Sequence, residues 1–162
     1  MKKFFAILAV ATLAIVAPAQ ASANESNGQV ASEQGFENIK QKAQEFIVRI
    51  SELVILEDNA GLQSLQNEMM AYVATLSSTD QDAFQKAGDE YMARVDKIRE
   101  KAIGFVDQLV AAIEANDQTT FKSVEKISNE YELSLNEADR MAYSRICMAY
   151  GRRLQRKRAQ QQ

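Results

Sequence analysis

From Phe36 to its C-terminus the chain contains no proline, and its apolar residues recur at three- and four-residue spacing with no strand-length alternation. Without proline nothing forces a break in the amide ladder, and this spacing gathers side chains on one face of a 3.6-residue helix. The pattern predicts an all-α fold: a helical bundle of about five helices with one long central helix.

The first helix carries Phe36, Ile39, Ala43, Phe46, Ile50 and Leu53, and turns polar at Glu57. Asp58, Asn59 and Gly61 supply turn and cap chemistry before a second helix with Leu62, Leu65, Met69, Tyr72 and Leu76. Ser77, Ser78 and Thr79 interrupt the pattern, and Asp80 and Asp82 stand where a helix N-terminus favours carboxylates. A face from Phe84 to Ala112 then continues unbroken to Asn116, which predicts about 36 residues and about 54 Å of helix. Asp82 with Lys86 and Glu90 with Arg94 are spaced for i,i+4 ion pairs on it. Asn116 and Asp117 cap a fourth helix with Phe121, Val124, Tyr131 and Leu135. Ser134 and Glu137 fit the capping box of a fifth, which holds Ala142, Ile146, Ala149, Tyr150 and Leu154.

Sliding the chain along itself by 59 residues aligns 46–94 with 105–153 without a gap, and nine of the 49 positions are identical. Chance at this composition gives roughly three. Among the identities are Phe46/Phe105, Asp58/Asp117, Tyr72/Tyr131 and Tyr91/Tyr150. Repeats over 36–94 and 95–153 would make two tandem three-helix units joined through one continuous helix; a compact bundle with the short helices folded back is the other arrangement.

Ahead of this domain, Lys2 and Lys3 precede an apolar stretch from Phe4 to Ala17 broken only by Thr12. Pro18 and the triplets Ala19-Gln20-Ala21 and Ala21-Ser22-Ala23 complete the form of a cleaved secretory signal peptide over 1–23. Cleavage is expected after Ala23, with Ala21 as the second choice. The 14-residue apolar run is short of the ~20 needed to span hydrocarbon, so no transmembrane segment is expected after cleavage. The reading places the mature chain in the periplasm or outside the cell. Residues 24–35 are polar and without period, and are expected to be a disordered leader, as are 159–162 a disordered tail.

Export would leave 139 residues with 17 basic and 22 acidic side chains. Of the basic residues, 12 lie in the acidic body up to Gly151; the other five, Arg152, Arg153, Arg156, Lys157 and Arg158, form a basic tail. An acidic body argues against nucleic acid as the partner. The tail has two readings: cations complementing the last helix's dipole, or a contact with an anionic envelope surface or acidic partner.

No histidine occurs anywhere. That removes the commonest general base, the commonest zinc ligand, and every Ser-His or Cys-His nucleophile. The one cysteine, Cys147, cannot form an internal disulfide and reads as a small buried apolar residue. There is no glycine-rich phosphate loop, and the carboxylates are spread along solvent-facing helix positions. No catalytic residue, cofactor or metal site is expected. Tyr72, Tyr91, Tyr131 and Tyr150 lie on apolar stripes, where core packing with the hydroxyl at the rim is expected.

The function expected is therefore that of an exported, non-enzymatic helical interaction or scaffold protein of the bacterial cell envelope, working through a protein partner or self-association. The alternative is a periplasmic holdase-type chaperone or stress protein, in which a helical cradle with methionines and basic residues shields unfolded clients.

Overall fold

A computed structural model of the chain describes residues 33–161. The expected signal peptide, its cleavage site and nearly all of the leader lie outside the described residues. Five helices follow one another: α1 (Glu33–Ile55), α2 (Asn59–Val73), α3 (Ser78–Glu114), α4 (Gln118–Ser134) and α5 (Glu137–Ala159). No strand occurs among the described residues. Helix α1 starts at Glu33, slightly ahead of the apolar pattern. The long helix, α3, has 37 residues.

Helices α1, α3 and α5 each pack against the other two, α2 lies on α1, and α4 lies on the second half of α3. Three contacts in order fix the direction of α5. The Tyr91 hydroxyl donates to the Ala138 carbonyl at 3.0 Å, the Tyr150 hydroxyl to Asp107 Oδ1 at 2.9 Å, and Arg158 pairs with Glu114. Helix α5 therefore runs parallel to α3 along its second half. The core contains Phe46, Ile50, Tyr91, Val95, Ile98, Ala102, Ala142 and Ile146, with Ala102 and Ile146 fully excluded from water. The small Ala43, Ala102 and Ala142, one on each of α1, α3 and α5, are buried among them.

The 59-residue correspondence reappears in the geometry. Helix α1 ends with Glu57 in the left-handed region at φ 57°, and the first turn after α3 places Asn116 there at φ 52°. Around them the amides of Glu57 and Asp58 reach the carbonyls of Val54 and Leu53, just as those of Asn116 and Asp117 reach Ile113 and Ala112. This is the Schellman closure of a helix, made twice. Asp58 and Asp117 then cap α2 and α4 with nearly the same backbone, φ −88° and ψ 86° against φ −93° and ψ 89°. Two aromatic clusters repeat as well: Tyr72 lies 6.0 Å from Phe46 and 5.5 Å from Phe84, and Tyr131 lies 5.9 Å from Phe105 and 5.4 Å from Tyr143. The identities also continue upstream, through Ile39/Ile98, Lys42/Lys101 and Ala43/Ala102.

Two local expectations are corrected. Ser134 does not cap α5: its hydroxyl donates to the Tyr131 carbonyl at the end of α4. Leu135 is extended, at φ −84° and ψ 148°, so the cap falls two residues after Ser134, where Asn136 accepts the Asp139 amide at 3.0 Å. This matches Ser77 accepting the Asp80 amide ahead of α3. Among the described residues the Asp82–Lys86 and Glu90–Arg94 pairs do not form. Arg94 instead lies over the Tyr91 ring and reaches Asp139 at 3.8 Å, because the start of α5 offers it a largely buried carboxylate.

Candidate interaction surface

The basic tail belongs to the last turns of α5, whose grip on the core weakens after Tyr150: only Leu154 among the residues that follow is apolar and half-buried. Cations take over from apolar contact there. Arg152 Nη2 lies 3.1 Å from Glu52 Oε1, Arg153 pairs with Glu57, and Arg158 pairs with Glu114. The first two tie α5 to the end of α1, and the third ties it to the end of α3. Each is a solvent-screened pair worth about 0 to 1 kcal/mol. Of the five cations singled out from the sequence, three are thus engaged within the chain. Arg156 and Lys157 are exposed and form no ion pair among the described residues.

Tyr91 is buried and Tyr72, Tyr131 and Tyr150 are half-buried; the Tyr91 and Tyr150 hydroxyls bridge α3 and α5 through Ala138 and Asp107. Burial, reinforced by the Asp139 charge, pushes the Tyr91 phenol up to about 12. Burial does the same to Tyr143, up to about 12, while its hydroxyl shares a 2.6 Å hydrogen bond with Ser128. Cys147 is half-buried beside Tyr143, and burial pushes its thiol up, so the nucleophilic thiolate is scarce near neutral pH. Asp139 is buried, with one carboxylate oxygen held by Asn136 Nδ2 at 2.8 Å and the other without a partner. Its neighbours Tyr91 and Arg94 make it a joint between α3 and α5.

Neither a group of three metal-ligating side chains nor a helix long and apolar enough to cross a membrane occurs among the described residues. A shallow depression lies along one face of α3, lined by Asp82, Gln85, Lys86, Asp89 and Glu90, and is open to solvent. A single helix face offers no enclosure for a small ligand.

The apolar surface is distributed unevenly. Ile113, Ile127, Leu133, Met141 and Met148 are all more than half exposed, from 51% to 73%. Every one of them belongs to the second unit. The first unit exposes Phe36 and Met70, at 49% and 40%. Phe36 and Ile127 are expected on or near the apolar faces of their helices, yet both are exposed; Met141 and Met148 escape the sequence pattern because apolar neighbours disguise their orientation. The signal was nonetheless available: at a shift of 59 residues they stand where the first unit has Asp82 and Asp89.

Neither a family of proteins, nor a curated protein, nor a solved structure matches this chain.

Proposed function

We propose that the chain is an exported, non-enzymatic interaction or scaffold protein of the bacterial cell envelope, built from a duplicated three-helix unit whose second copy carries the binding surface. The observation that supports it is the asymmetry just described. Solvent-facing apolar side chains cost solubility, and they are concentrated on one unit rather than scattered over both. Crosslinking in intact cells followed by mass spectrometry tests this. Crosslinks from the second unit to another protein or to a second copy are expected. Their absence, together with a monomer by light scattering at high micromolar concentration, would remove the interaction reading.

A second reading, a periplasmic holdase, is favoured by the chemistry of the exposed residues. Met70, Met141 and Met148 are all at least 40% exposed, and flexible thioethers adapt to clients of many shapes. Suppression of aggregation of a model substrate is the expected result under that reading. No effect at several-fold excess would end it.

A further inference from the structure

Helix α5 and the first half of α3 occupy equivalent places in the two units, so their outer faces can be compared position by position. On α3 the outward stripe reads Asp82, Lys86, Asp89 and Ala93, all exposed. On α5 the same positions read Met141, Arg145, Met148 and Arg152. Spacings of four, three and four residues put each set on one face of its helix. Met141 and Met148 are 54% and 53% exposed, so the bundle itself gains nothing from making them apolar. Two aspartates in one unit answer to two methionines in the other, at sites where the fold asks for neither.

The charge changes in the same direction. After Asp139 the chain has seven cations and no carboxylate side chain. The first unit, residues 36–94, has ten carboxylates against five cations. The stripe on α5 continues from Arg152 to Arg156, which has no carboxylate partner among the described residues. Methionines alternating with arginines along one stripe suit a helix that lies flat in the headgroup region of a bilayer, with thioethers reaching below the phosphates and cations among them.

We infer that the outer face of α5 docks on an anionic bilayer surface, Met141 and Met148 entering the interface and Arg145 and Arg156 meeting the phosphates. The charge complementarity selects this occupant over a second copy of the chain, whose cationic α5 would meet its own like charge across a symmetric contact. An acidic first unit held away from the membrane orients the molecule with α5 downward. The inference goes beyond the protein-binding reading above and rests on it only in taking the chain to be an envelope protein.

The test uses the processed chain recovered from expressing cells, its N-terminus verified by mass spectrometry, so that the apolar stretch from Phe4 to Ala17 contributes nothing. Co-sedimentation is compared on vesicles of phosphatidylcholine alone and of phosphatidylcholine with about a third phosphatidylglycerol. Binding to the anionic vesicles is expected to exceed that to the neutral ones by roughly tenfold or more and to weaken as salt is raised. Met141→Asp with Met148→Asp, which restores the residues of the first unit, is expected to lower anionic binding roughly fivefold or more. Arg145→Gln with Arg156→Gln should lower it about tenfold. Met141→Gln with Met148→Gln guards against misfolding, and unchanged circular dichroism and Tm are required of each variant. Equal sedimentation with both vesicle types overturns the inference, as does full anionic binding by the well-folded methionine variants. Crosslinks to a protein partner that disappear in those variants while vesicle binding persists also overturn it, and they leave the protein-binding reading standing.

Discussion

The two units share their turns, caps and aromatic clusters, yet the first buries what the second exposes. Helix α1 is flanked by α2, α3 and α5, and α3 in turn by α1, α4 and α5. The residues record the difference. Val48 and Ile55 are 5% and 3% exposed, and at the matching places stand Asp107 and Glu114, both solvent-exposed. The two positions that the first unit buries here are polar and solvent-facing in the second. Against that background the exposed Met141 and Met148 stand out, because polarity was restored elsewhere on the same unit and not at those positions.

The largest expected effect compares the two aromatic clusters. Phe46 is 1% exposed and touches Tyr72 and Phe84, while Phe105 is half-buried against Tyr131. Phe46→Ala should cost about 3 to 5 kcal/mol, and Phe105→Ala roughly half of that, because less contact is lost and water reaches the site. Urea unfolding of the two variants measures both. Equal losses would mean that the units are packed equally well and that the asymmetry ends at the surface.

Below that in size is an alkaline effect. Tyr91 and Tyr143 lose their protons in the folded protein only near 12, about two pH units above the ordinary phenol. With folded values above unfolded ones, stability is untouched below about pH 10 and falls as pH rises from about 10 to 12, by about 2 kcal/mol for each tyrosine. The first unit has Phe84 where the second has Tyr143, and Met69 where it has Ser128, so this part of the sensitivity belongs to the second unit alone. Tyr143→Phe should flatten the alkaline limb of a Tm-against-pH curve. A limb unchanged in that variant and in Tyr91→Phe would show that neither phenol limits stability.

Much of this architecture was legible in the chain, for a reason visible in its residues. The long helix lacks proline and keeps an apolar residue at every third or fourth position from Phe84 to Ala112, so neither its existence nor its length depended on tertiary context. The Asp58 and Asp117 turns were equally clear, since a capping carboxylate acts on its own neighbours. The start of α5 was misplaced because Ser134 has a choice of acceptors, and helix α4 was the nearer one. Arg94 was assigned to Glu90 since local spacing cannot reveal a buried carboxylate 45 residues away. The tail arginines were found but not their partners: Glu52, Glu57 and Glu114 lie far off in sequence and come close only once α5 lies parallel to α3. Periodicity says which face of a helix is apolar, but not whether a partner helix covers it, and Met141 and Met148 fell in that gap.

The arginine pairs give a smaller effect. Arg152→Gln with Arg153→Gln frees the end of α5 from α1, and should cost about 1 kcal/mol in all at low ionic strength and less as salt is raised. Hydrogen exchange should quicken over the last turns of α5 and leave its first half, held by Ala142 and Ile146, unaffected. A global loss of protection would show that the pairs hold the bundle together rather than its edge.

The finest contrast lies in the caps. Asp58 accepts one amide, from Gly61, at 2.8 Å, and a side chain at Gly61 would collide with the Asp58 carboxylate and Leu53. Asp117 accepts the amides of Thr119 and Thr120 and also the Thr120 hydroxyl, which stands where the first unit has its glycine. Those bonds, the hydroxyl's first among them, hold the Asp117 carboxyl below the ordinary aspartate range. A folded value below the unfolded one means that the stabilisation is present at neutral pH and is lost as pH falls through the folded value. Asp117→Asn keeps an accepting oxygen but removes the titration, so the acid limb of exchange at the first turn of α4 should flatten while neutral protection changes little. If the native protein and the variant lose protection there in parallel on acidification, the charge at Asp117 contributes nothing, and the Schellman closure ahead of it starts α4 unaided.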